Sequence, residues 1–133
     1  MGGGEASPSH DARLKGYIIF AHGSRIESAN EGVRAVARQF AGLGSFVHVE
    51  PAFLELGEPD LGDAVARLIG QGVQRIVIIP YFLTLGIHLE RDLPQIIAGL
   101  AGVHRGIDLQ VTAPLEGHPA LLQILLDRSK EAT

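Results

Sequence analysis

A chain of 133 residues has room for one hydrophobic core and not for two. Apolar residues make up 46% and charged residues 20%; with a formal net charge of −4 and no Lys/Arg block, nucleic acid is a poor candidate for the main partner. The absence of cysteine excludes disulfides and thiolate metal sites and suits a reducing cytoplasm, and no apolar run reaches the length of a membrane span.

Residues 1–13 are rich in Gly, Ser and Pro and lack an apolar period, so they read as a disordered leader in which His10 has no role. Residues 14–133 form the domain. The first strand is predicted over 16–21, almost purely apolar and ending at His22. Two overlapping capping boxes, Ser24 with Glu27 and Ser28 with Glu31, predict a helix that runs to Leu43 and ends at Gly42 and Gly44. A second strand is expected over 46–53. Pro59 then suits the first turn of a second helix, with Leu61, Ala64, Val65, Leu68 and Ile69 as its buried stripe.

The third strand, 75–80, is apolar on both faces, as expected of a central parallel strand covered on both sides. A third helix falls within 88–101; Pro94 splits it into a first turn from Leu89 and a main body from Leu93. A fourth strand at 108–113 precedes a last helix that starts at His118-Pro119, with Leu121, Leu122, Ile124, Leu125 and Leu126 on its buried side. Four consecutive βα units define an α/β fold: one four-stranded parallel sheet flanked by helices, in the flavodoxin-like order 2-1-3-4. Such a sheet opens a crevice where its order reverses, between strands one and three. His22 leaves strand one and His88 follows strand three, so both belong to that crevice.

Each histidine has two readings. His22 either shapes the turn before Gly23 or presents its ring to a ligand, with the Ser24 and Arg25 amides available to an anion. His88 follows the apolar run Tyr81-Phe82-Leu83-Thr84-Leu85-Gly86-Ile87, which either packs on the core or another subunit, or walls a pocket for a large flat ligand. Asp92 either pairs with His88 or caps the helix. Glu55 lies just past the second strand exit, as a solvated carboxylate or a third member of the site. His48 and Glu50 share a solvated strand face, His104 is a surface residue, and His118 is a cap. Zinc-hydrolase, nucleophile-elbow and phosphate-loop motifs are absent. AHGS is similar to an Arg-His-Gly phosphatase motif, but Ala21 stands where the arginine clamp would be.

The runs IIFAHGSR (18–25), PAFLEL (51–56), IVIIPYFLTLGIHLERDLP (76–94) and PLEGHPALLQILLDR (114–128) together resemble the short class II tetrapyrrole chelatases of the CbiX/SirB type. The resemblance covers nearly everything after the leader. It implies insertion of Co²⁺, Fe²⁺ or, in one branch, Ni²⁺ as substrate into sirohydrochlorin, with no organic cofactor, by a homodimer. It also implies that His22 and His88 are the metal-site histidines, with Glu55 an auxiliary ligand or base. The loop carrying Tyr81, Phe82, Leu83 and Gly86 would cover the macrocycle, and Arg25 and Arg91 would meet its carboxylates. The chemistry suits the residue types: two imidazoles hold a metal openly enough to release it, and a neutral imidazole accepts a pyrrole proton near pH 7. The rival readings are a carrier that binds without inserting, and a structural subunit paired with another catalytic half.

Overall fold

The computed structural model describes residues 14–132, so the predicted leader and its His10 lie outside the described residues. Eight elements alternate: β1 (Lys15–Ala21), α1 (Glu27–Gly44), β2 (Val49–Phe53), α2 (Leu61–Gly70), β3 (Arg75–Pro80), α3 (Gly86–Val103), β4 (Asp108–Val111) and α4 (Pro119–Ser129). All three strand pairings are parallel and the order is β2-β1-β3-β4, as the βα alternation requires. Tyr17 is the register mark, paired with Val49 on one side and Val77 on the other. Among the described residues no helix is long and apolar enough to cross a membrane.

One face of the sheet carries the core. Ile18 and Phe20 of β1 and Ile76 and Ile78 of β3 pack against Ala64, Val65 and Leu68 of α2 and against Leu89 and Leu93 of α3, all buried. Each large aliphatic or aromatic side chain buried in this way contributes about 1.5–3 kcal/mol. The other face is covered by α1 over β2 and β1. There Tyr17, Phe40 and Phe46 form an aromatic cluster, the Tyr17 and Phe46 ring centroids 4.3 Å apart.

Several local expectations are corrected. Neither capping box forms: α1 starts at Glu27 behind Ile26, whose side chain caps nothing, and the Ser24 hydroxyl accepts the Ile26 N–H instead. Gly42 and Gly44 lie inside α1, and the left-handed residue that ends it is Ser45, at φ 56°. Gly44 serves close approach: a Cβ there would stand 2.1 Å from the Phe46 ring. That ring turns onto Tyr17, so β2 begins at Val49 and not at residue 46. Pro59 precedes α2, and Asp60 caps it by accepting the Asp63 N–H.

Pro94 sits within a continuous α3. It removes one helical hydrogen bond, but Leu89 and Leu93, in the turn just before it, are buried against the core and hold the helix in place. The strand β4 stops at Val111. The largest correction concerns α4: none of its residues is buried, and Leu122, Ile124, Leu125 and Leu126 are exposed. The predicted stripe exists but does not cover this chain's sheet. Val77 and Ile79 of β3, on the face beyond the reach of α1, are consequently half-buried, so β3 is fully covered on one side only.

Candidate functional site

Backbone hydrogen bonds extend the sheet past its last paired residues and fix the loops beyond. Leu54 and Glu55 donate their N–H groups to the carbonyls of Ala21 and His22, at 2.9 and 3.0 Å, and Tyr81 donates to Phe20 at 2.7 Å. The exits of β1, β2 and β3 are thereby tied side by side. Gly23, at φ +96°, allows the closest approach: a Cβ at this position would stand 1.6 Å from the Glu55 carbonyl oxygen. No residue with a side chain fits that turn without moving the neighbouring loop.

This tie brings His22 and Glu55 together, with Nε2 3.4 Å from the carboxylate. The Nδ1 of His22 lies 3.2 Å from the Gly23 carbonyl, which can only accept, so Nδ1 carries the proton in that contact. In the neutral ring Nε2 then presents a lone pair beside a carboxylate oxygen, an arrangement that suits a cation or an incoming proton. Phe82 stands edge-on to both Phe20 and His22, the His22 and Phe82 centroids 6.4 Å apart, and so supports the imidazole from the third strand exit.

His22 and His88 line one cleft of about 400 Å³. Its walls are largely apolar, with Leu54, Phe82, Leu85, Ile87, Leu89 and Ile96, and Asp92 and Thr84 are the other polar residues. His88 lies in the first turn of α3, exposed, with Nδ1 3.4 Å from the Arg91 guanidinium. Asp92 neither pairs with His88 nor caps the helix; it accepts from Arg91 at 3.1 Å while lining the cleft.

The remaining predicted site residues divide. Phe82 and Gly86 line the cleft; Ser24, Arg25, Tyr81 and Leu83 are not among its lining residues. Ser24 and Arg25 also precede α1, and the Ser24 amide is engaged by the Asn30 carboxamide oxygen at 2.9 Å, so it is closed to an anion. Of the other histidines, His48 contacts Gln71 at 2.7 Å, and His118 caps α4 through the Ala120 N–H. His104 ends α3. Among the described residues no group of three or more His, Asp or Glu converges on a metal position.

Sequence reasoning passed over Asn30 and Arg34, both on α1. Arg34 donates to the Glu58 carbonyl at 2.9 Å and lies over the Phe53 ring, pinning the β2 exit loop. Hydrogen bonding to Arg34 holds the Glu27 carboxyl below its ordinary range, the bond to Arg38 does the same for Glu31, and Arg34 is raised in turn, chiefly by Glu27. Leu56 in the same loop is left-handed at φ 59°, which costs a branched residue about 1–2 kcal/mol. Helical spacing carries a signal for Asn30, since it lies three and seven residues before Val33 and Ala37 and so shares their face of α1.

Comparison with known proteins agrees with this geometry. The CbiX family model matches residues 16–132. A sirohydrochlorin ferrochelatase of Arabidopsis thaliana chloroplasts is 38% identical over 85% of the chain, and the chain spans 50% of that relative's length. A sirohydrochlorin cobaltochelatase of Methanopyrus kandleri is 32% identical, covering 86% of the chain and 94% of the relative. The crystal structure of a cobalamin-biosynthesis CbiX protein from Marinobacter aquaeolei superposes with a TM-score of 0.77 at 32% identity, over 88% of this chain and 95% of that one.

Proposed function

The chain belongs to the CbiX family, and from that premise we propose that it is a metal chelatase inserting Co²⁺ or Fe²⁺, with Ni²⁺ a third candidate, into sirohydrochlorin. The observation that carries the reading is that His22 and His88, from separate strand exits, line one apolar-walled cleft with Glu55 beside His22. The similar ferrochelatase and cobaltochelatase act on that tetrapyrrole by name.

In this reading the divalent ion arrives on the imidazoles of His22 and His88. Few protein donors leave coordination positions open, so the ring nitrogens can take the ion over one by one. For each M²⁺ that enters, two pyrrole protons leave. The Glu55 carboxylate accepts the first, and the His22 Nε2 lone pair, freed once the ion has passed to the ring, accepts the second; the two groups face the same space. Phe82 and Gly86 offer a wall to the macrocycle, and Arg91, beside His88, meets a peripheral carboxylate. Arg25, Tyr81, Leu83 and the Ser24 side chain are assigned to the rim outside the cleft.

The same proposal includes a homodimer. Leu122, Ile124, Leu125 and Leu126 make α4 an apolar helix uncovered by its own chain, a feature that marks association surfaces. A second copy would also close a cleft that one chain of this size leaves half open. A cysteine-free chain is compatible with a reducing compartment, and we place the reaction in the cytoplasm.

The test is metallation of sirohydrochlorin followed by absorbance, with Co²⁺, Fe²⁺ and Ni²⁺ in turn, against the uncatalysed rate. Acceleration that His22→Ala and His88→Ala abolish supports the reading and ranks the metals. Tight binding without acceleration sinks the enzyme and leaves a carrier.

A further inference from the structure

Asn30 is the buried polar side chain among the described residues, 2% exposed. Both ends of its carboxamide are engaged. Nδ2 donates to the Ser24 carbonyl at 2.8 Å and to the Leu56 carbonyl at 2.8 Å, with Glu27 Oε1 at the edge of reach at 3.4 Å. Oδ1 accepts the Ser24 N–H at 2.9 Å. Ser24 follows His22 and Gly23; Leu56 directly follows Glu55. One side chain thus joins the loop that presents the imidazole to the loop that presents the carboxylate.

We infer that Asn30 is the positioning residue for the His22–Glu55 pair, setting the spacing of the two donors through its carboxamide. The inference rests on the chelatase reading for its activity readout and on geometry alone for its binding readout. Three features make Asn the side chain required. Two carbonyls must receive hydrogens and one amide must find an acceptor, which an amide satisfies and an isosteric carboxylate does not. The Asn30 side chain is itself buried, so a shape-matched replacement that cannot make these bonds leaves polar groups there without their partners. Leu56 is left-handed and returns toward ordinary backbone once its carbonyl is released, carrying Glu55 with it. The backbone bonds from Leu54 to the Ala21 carbonyl and from Glu55 to the His22 carbonyl hold the loops where they leave the strands; Asn30 ties them again farther out, at Ser24 and Leu56, which stops the outer parts from parting.

The experiment uses Asn30→Asp and Asn30→Ala in the full chain, with circular dichroism to verify folding. Two quantities are read: Co²⁺ affinity of the protein alone, by titration, and kcat and KM for sirohydrochlorin. Groups that orient ligands from behind typically change affinity or rate 10–100-fold. The expected result is a loss of about 10-fold or more in Co²⁺ affinity and kcat, with KM for the ring changed less than about 2-fold. In a double-mutant cycle with Glu55→Gln the two losses should fail to add, because both act on one pair. Adding Leu56→Gly to Asn30→Ala should recover part of the loss, since glycine adopts the left-handed turn without a clamp. Should Asn30→Ala not fold, Asn30→Asp and the Asn30→Ala/Leu56→Gly pair carry the same readouts. Folded variants with unchanged Co²⁺ affinity and kcat, or losses that add fully with Glu55→Gln, overturn the inference. If the parent protein does not accelerate metallation, the chelatase reading fails while the Co²⁺ affinities still decide the role of Asn30.

Discussion

His22 Nε2 and the Glu55 carboxylate face each other at 3.4 Å while both side chains stay more than half exposed, at 58% and 56%. An open pair of this kind is screened by water and adds little to the stability of the fold. The proximity is held by the ties between the two loops, backbone bonds and the Asn30 carboxamide alike, and under the proposed function the pair's value is chemical. Glu55→Gln should therefore leave the melting temperature nearly unchanged and slow metallation. His22→Ala, which under the proposed function removes both a ligand and a proton acceptor, should cost about 10²–10⁴-fold in kcat. A thermal melt beside a metallation assay checks both; a large stability loss in Glu55→Gln would show the pair to be structural.

His88 stands on a different footing, in the first turn of α3 with Arg91 against its Nδ1. Its loss should weaken Co²⁺ binding and turnover together without disturbing the His22 loop. Titrating Co²⁺ into His88→Ala and into His22→Ala would compare the two donors. An unchanged affinity in His88→Ala would remove it from the metal path and leave it a role toward the ring.

Gly23 is predicted to be the most sensitive non-ligand position. A methyl group there meets the Glu55 carbonyl at an impossible distance and also requires φ +96°. Gly23→Ala should destabilise the fold by about 2–4 kcal/mol and abolish activity, because the β1 and β2 exits must part to admit it. Urea titration gives the stability change directly. Wild-type stability in that variant would mean the loop has an alternative path.

Association should depend on α4. Replacing Leu122 and Leu125 by glutamate puts charge on the apolar helix without touching a buried residue. The double variant is expected to sediment as a monomer at concentrations where the parent is a dimer, while retaining its circular dichroism spectrum. A monomeric parent would refute the homodimer.

On the acid side, the Glu27 and Glu31 carboxyls are held low by hydrogen bonds to Arg34 and Arg38 respectively. A carboxyl depressed in the folded state contributes stability that is present above its unfolded value, near 4.5, and is lost as pH falls through the folded value. Both groups are solvent-exposed, so the effect is small and weakened by salt. Urea midpoints at neutral pH and at about pH 3 should differ less in Arg34→Met than in the parent. Equal differences would place the acid sensitivity elsewhere.

The sheet was legible because β1 and β3 are apolar runs, all four strands alternate with periodic helices, and topology rules leave few ways to wind four such units. The two histidines were legible for the same reason: strand exits are readable, and such sheets share a crevice there. What escaped was anything decided by which surface meets which. The leucines of α4 announce that something covers them, but periodicity does not say whether the cover is the same chain. Ser24 matches a capping box, yet Gly23 and Asn30 bend that segment into the loop and leave Ile26 to start the helix. Pro94 looked like a break, and burial of Leu89 and Leu93 overrode it. Helical spacing puts Asn30 on the buried face of α1, but its role was not readable, because its partners Ser24 and Leu56 become neighbours only when β1 and β2 pair.

His22, Glu55 and His88 come from three exits, and the strands behind them meet in one register through Tyr17, Val49 and Val77. The sheet thus acts as a measuring rod for the cleft. Sliding β2 by one residue against β1 would turn its side chains to the opposite face and displace Glu55 from His22 by about a strand rise of 3.3 Å. A slipped pairing would not leave Glu55 beside His22 at all, so the strand register and the geometry of the pair stand or fall together.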